Sequence, residues 1–130
     1  MAEGRIEPEL YVRRGSEAVE YYKAAFGAVE LHRVGEDEIV AQLGVGDARF
    51  WVHDGESNPP SLGATTVRLL LVVEDPRSVA AQAIDAGATE LSPVAEEHGW
   101  LVGRIEDPFG HRWEIGKPLI PWPPREPRRP

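Results

Sequence analysis

The chain repeats itself. Gly27-Ala28-Val29-Glu30-Leu31 returns sixty positions later as Gly87-Ala88-Thr89-Glu90-Leu91, and each copy closes a stretch with helical spacing of apolar residues. A unit of about half a domain, present twice, means two copies of one supersecondary element, neither of which buries a hydrophobic face alone. Side by side they share a core, and the groove between them is a natural place for a ligand.

Each copy reads as strand, helix and three further strands. In the first, Glu7 to Arg13 alternates apolar and polar residues through Leu10 and Val12, the period of a half-buried strand. Ser16 is placed to cap a helix whose face carries Val19, Tyr22 and Phe26, and Gly27 supplies the left-handed residue that ends it. In the second, Thr66 to Val73 is the opening strand, and Asp75-Pro76 gives an N-cap with proline at the first helical position. Val79, Ala83 and Ala86 share the helix face, and Gly87 closes it. Strand-like runs follow at Glu30–Val34, Glu38–Val45 and Ala48–His53, then at Thr89–Leu91, Trp100–Ile105 and His111–Ile115. The fold class is α+β, with β-α-β-β-β twice over.

At 130 residues the chain has the size of one domain with a proper core. It lacks cysteine, which excludes disulfides, a thiolate nucleophile and cysteine metal ligands. No segment has the pattern of a signal peptide, and the most apolar run, Val67–Val73, is too short to span a bilayer, so a cytoplasmic location without membrane attachment is the expectation. A net charge of −8 argues against nucleic acid, because phosphate binding needs a basic face. The proline- and arginine-rich segment 119–130, carrying Trp122, Arg125, Arg128 and Arg129, reads as an extended tail; packing of Trp122 on the body or on a second subunit is the alternative.

Two segments carry a resemblance. Glu20-Tyr21-Tyr22-Lys23-Ala24-Ala25-Phe26-Gly27-Ala28 and Gly103-Arg104-Ile105-Glu106-Asp107-Pro108-Phe109-Gly110-His111-Arg112-Trp113-Glu114-Ile115 are similar to the vicinal oxygen chelate superfamily, which holds glyoxalases, bleomycin-resistance proteins and extradiol dioxygenases. The resemblance implies one domain over residues 1–118, built of modules at about 5–55 and 65–118. Their curved mixed sheet encloses a cleft, the helices lie outside, and homodimers are common.

Enzymes of that superfamily hold a divalent metal on the first and last strands of each module. The corresponding positions here are Glu7, Arg68 and Glu114, with His53 the one coordinating side chain on the last strand of the first module. Arginine stays protonated and is no ligand. If a metal binds, its set is Glu7, His53 and Glu114; two histidines and a carboxylate, which an iron dioxygenase needs, are not offered. Arg68 between Glu7 and Glu114 would take the metal's place, so that Arg68→Ala leaves two opposed carboxylates at a cost of about 3–5 kcal/mol, recovered on acidification.

Strand parity sorts the remaining positions. Leu10, Val12, Phe50, Val52, Leu69, Leu71, Trp113 and Ile115 fall on one face as core. The other face carries Glu7, Glu9, Tyr11, Arg49, Trp51, His53, Thr66, Arg68, Leu70, Arg112 and Glu114; Trp100 either lines the cleft mouth, acts as a lid contact or simply packs. Arginine with tryptophan suits a planar or anionic ligand. His111 belongs to turn chemistry, and Gly44-Val45-Gly46-Asp47 is a hairpin turn rather than a phosphate loop. Two functions stay open: a metal-free small-molecule-binding protein of the bleomycin-resistance type, which is the preferred reading, and a metal-dependent lyase, isomerase or dioxygenase.

Overall fold

The computed structural model describes residues 5–54 and 67–120. Thr66 and the tail beyond Ile120, with Trp122 and its arginines, lie outside them. The chain runs β1 (Glu9–Val12), α1 (Gly15–Phe26), β2 (Val29–Val34), β3 (Val40–Val45), β4 (Ala48–Asp54), then β5 (Leu69–Val72), α2 (Pro76–Asp85), β6 (Thr89–Glu97), β7 (Trp100–Glu106) and β8 (Arg112–Pro118). The repeat is thus β-α-β-β-β twice, as the sequence leads one to expect.

Each module forms a mixed four-stranded sheet, ordered β1-β4-β3-β2 and β5-β8-β7-β6. The first strand of each lies parallel to the last, Leu10 opposite Val52 and Leu70 opposite Glu114, while the remaining pairs are antiparallel. Among the described residues no ladder joins β1 to β5, so the curved surface has a seam at its centre. His111 bridges this seam: its Nε2 lies 2.9 Å from the Tyr11 carbonyl oxygen.

The alternation assigned from sequence sets the core. Leu10, Val12, Phe50, Val52, Trp113 and Ile115 are buried, and Leu69 and Leu71 pack against them half-buried. Helix α1 adds Val19, Tyr22 and Ala25, all fully buried. Tyr22, Phe26 and Phe50 of the first module meet Trp113 of the second, with centroids 4.7–5.8 Å away from it. Gln82 of α2 donates to the carbonyls of Ala24 and Ala25, both at 3.0 Å, satisfying acceptors that the end of α1 leaves open. The modules therefore share one core.

Several boundaries differ from the sequence reading: β1 and β3 start two residues later, β5 starts at Leu69, β8 runs on to Pro118, and two further differences have a visible cause. Helix α1 begins at Gly15 after Arg14, with no side-chain cap, so Ser16 lies inside the helix rather than capping it. The cause is close packing: a Cβ on Gly15 would sit 2.6 Å from the Asp54 Cβ and 2.8 Å from the Ile39 Cγ1, so the first turn is placed by tertiary contact. Strand β6 runs to Glu97, past Pro93, instead of stopping at Leu91. It is the edge of its sheet and its register shifts twice, which is where a strand tolerates proline. Of the other caps, Asp75 accepts from the Ser78 N–H and Gly27 is left-handed at φ 69°, whereas α2 ends at Asp85 with a right-handed Ala86 as its C-cap, so Gly87, at φ 132°, follows the cap instead of forming it.

Candidate functional site

The most constrained carboxylate is Asp107, buried at 3 % exposure in the turn between β7 and β8. Its Oδ1 accepts from the backbone N–H groups of Phe109 and His111 at 2.9 and 3.0 Å. Its Oδ2 accepts from the Tyr22 hydroxyl at 2.5 Å and the Trp113 indole at 2.9 Å. Four neutral donors satisfy this buried acid, which makes no ion pair among the described residues. Burial, reinforced by the neighbouring Asp107 charge, pushes the Tyr22 phenol well above its ordinary value, so it stays a donor. The Asp-Pro-Phe-Gly-His turn is therefore structural, and His111 has the turn role expected of it.

The concave faces carry three separate groups. In the first, Glu7 precedes β1, and its Oε1 accepts from Trp51 Nε1 at 2.8 Å and Gln42 Nε2 at 2.9 Å. Arg5 pairs with its other oxygen. The Trp51 hydrogen bond is the main reason that the Glu7 carboxyl lies below its usual range; those from Gln42 and Arg5 act the same way against partial desolvation. In the second, His53 stacks on Tyr11 with centroids 4.8 Å apart, and its Nδ1 lies 3.7 Å from Glu9 Oε1.

The third group lies on the other sheet. Arg104 of β7 faces Glu114 of β8 in register and donates from Nε to its Oε2 at 2.9 Å. The other two nitrogens of the guanidinium grip Glu97, each at 3.1 Å. The Glu97 carboxyl is lowered chiefly by this hydrogen bond, and Arg104 is raised in return. Arg68, exposed just before β5, reaches Glu114 at 3.9 Å. Trp100 borders a hollow with Leu70, Arg104 and Glu114.

The expected triad of Glu7, Arg68 and Glu114 does not form. Glu7 takes its partners from its own sheet, whereas Glu114 is held by Arg104, with Arg68 at the limit of an ion pair. The conditional metal set of Glu7, His53 and Glu114 is likewise dispersed over the three groups; among the described residues no three His, Asp or Glu side chains are placed to hold a metal. The donor chemistry explains this. Three N–H groups already occupy the Glu7 carboxylate, and a guanidinium occupies Glu114. Arg112 pairs with Glu106 at 3.4 Å, two positions nearer the turn of the same hairpin.

Sequence reasoning missed Arg104, Glu97 and Gln42. Hairpin counting from the Asp107-Pro108-Phe109-Gly110 turn would have found the first, because it sets Glu106 opposite Arg112 and hence Arg104 opposite Glu114.

A cavity of about 380 Å³ opens along the seam, between the segment before β1, the start of β4 and the length of β5. Arg5, Glu7 and Arg49 stand on it, over Phe50, Leu69, Leu71 and Trp113.

Paired βαβββ modules with facing concave sheets define the vicinal oxygen chelate class, and the comparisons agree. The chain belongs to the glyoxalase-like domain family, whose model matches residues 10–116. The uncharacterised Mycobacterium bovis protein Mb0911c is 36 % identical over 129 residues, covering 90 % of this chain and 85 % of its own. The X-ray structure of the Arabidopsis thaliana At5g48480 product has a TM-score of 0.67 at 29 % identity, over 88 % of this chain and 98 % of that one. The fosfomycin resistance protein FosX of Listeria monocytogenes, solved with Mn(II) and sulfate, has a TM-score of 0.70 over 90 % of this chain and 93 % of its own; at 13 % identity it shows the shared fold alone. No helix among the described residues is long and apolar enough to cross a membrane.

Proposed function

We propose that this chain is a metal-free small-molecule-binding protein of the glyoxalase and bleomycin-resistance type, holding its ligand in the cleft between the two modules. The observation that carries this reading is the Arg104 guanidinium clamped between Glu114 and Glu97. Glu114 is the position at which the superfamily would anchor a metal. A fixed cation bonded to that carboxylate opposes a second, divalent one by charge and by occupation of its lone pairs. Groups suited to holding an organic ligand remain on the cleft: the Trp51 and Trp100 rings, the Tyr11–His53 stack and several arginines.

The alternative is a metal-dependent lyase, isomerase or dioxygenase, and FosX, with its Mn(II), is the precedent on this scaffold. The residues here do not fit that chemistry, because Glu7 and Glu114 are committed to N–H donors in separate groups. The test is elemental analysis of untagged protein purified without chelator, followed by titration with Mn(II), Zn(II) and Ni(II) under calorimetry. Less than a tenth of an equivalent of metal and no stoichiometric binding is the expected result. One equivalent bound, and lost in Glu114→Gln, would overturn the reading. A homodimer belongs to the same proposal, and sedimentation equilibrium measures it.

A further inference from the structure

We infer that the seam cavity takes a small hydrophobic carboxylate, with its apolar body between the two sheets and its carboxylate on Arg49. This rests on the small-molecule-binding reading above and names a ligand class for the seam end of the space between the modules, apart from the Trp51, Trp100 and Tyr11–His53 groups.

The cavity lies between the segment before β1 and strand β5, which belong to sheets that no ladder joins among the described residues. At about 380 Å³ it lies within the ordinary range for small organic ligands. Its inner wall is Phe50, Leu69, Leu71 and Trp113, all buried or half-buried. The one polar atom of the Trp113 ring already donates to Asp107, so the ring offers the cavity carbon alone. A wall of this kind rewards an apolar body and leaves the hydroxyls of a sugar unsatisfied.

The charged residues at the rim separate by their commitments. Glu7 is held by Trp51, Gln42 and Arg5, which removes both Glu7 and Arg5 as free charges. Arg49 makes no side-chain hydrogen bond or ion pair among the described residues, so its donor fork is available. That planar fork matches a carboxylate in bidentate geometry. A polyphosphate would need several such cations. Asp47 at the hairpin tip and the net charge of −8 oppose an anion at longer range. Recognition is then by contact, and salt changes it little.

The experiment uses 1-naphthoate and its neutral amide, 1-naphthamide, titrated into the full chain by calorimetry, with melting temperatures confirming that every variant is folded. The naphthoate is expected to bind roughly tenfold tighter than the amide, and Arg49→Gln to erase that difference by weakening the acid alone. Ala48→Phe, which fills the cavity from the exposed start of β4, is expected to weaken both ligands together. Three results overturn the inference. If acid and amide bind alike, unaffected by Arg49→Gln but lost in Ala48→Phe, the carboxylate class fails while the binding reading stands. Binding that survives Ala48→Phe puts the ligand elsewhere. Binding of neither probe removes the seam as a ligand site and, with it, the cleft reading at this location.

Discussion

Asp107 and Glu114 stand seven positions apart on one hairpin and are satisfied in opposite ways. Asp107 is sealed in the core by a phenol, an indole and two backbone amides. Glu114 lies half-buried on the concave face against one guanidinium, with a second at 3.9 Å. The difference teaches where each kind of partner works. In the core an acid needs several fixed dipoles, because an unsatisfied buried group costs its full desolvation. At a half-buried cleft wall one guanidinium, itself held by a second carboxylate, suffices. Asp107 therefore holds the two modules together, and Glu114 shapes the surface that a ligand meets.

The most severe test of this contrast is Asp107→Ala. It strands the Tyr22 hydroxyl, the Trp113 indole and two amides, and is expected to destabilise the fold by about 3–5 kcal/mol in urea unfolding. A loss under about 1 kcal/mol would break the comparison, because the hub would then be dispensable. Tyr22→Phe removes one donor and leaves three, so about 1–2 kcal/mol is expected by the same measurement.

Arg104→Gln comes next. Glu97 titrates below its ordinary 4.5 because of Arg104, so the stability this pair gives is complete above that value and fades as pH falls through the lower native one. The variant should melt below the parent at pH 7, with the gap closing between about pH 5 and pH 3. A gap that stays constant with pH would assign Arg104 a packing role instead. The smallest effect belongs to Arg68→Ala. An exposed pair at 3.9 Å is worth at most about 1 kcal/mol, so the large, acid-recovered loss expected of a three-group cluster should be absent. Finding that loss would restore the triad.

The architecture was legible because the repeat and the two-residue alternation are local signals. Leu10, Val12, Phe50, Val52, Trp113 and Ile115 needed only their spacing and a covered face. The end of β6 was not legible, since Pro93 reads as a stop until the strand is known to lie at an edge. The start of α1 was missed for a similar reason: Gly15 fits there because Asp54 and Ile39 come close, and those residues are remote in sequence. At the candidate site strand parity named residues but could not name their partners. Which arginine reaches Glu114 depends on hairpin register, and reading the first and last strands of each module passed over β7, where Arg104 lies.

The repeat also sets Gln82 where its first copy has Tyr22. Each is the long polar side chain that its helix extends into the other module. Tyr22 gives a proton to a carboxylate, and Gln82 gives an N–H to the open end of a helix. The handshake is mutual but its two grips are unlike. Two copies of the first module joined in tandem would meet with a phenol on each side and, in place of Asp107, the hairpin-tip Asp47. Duplicate in outline, the halves have become a matched pair, left and right, and neither can stand in for the other.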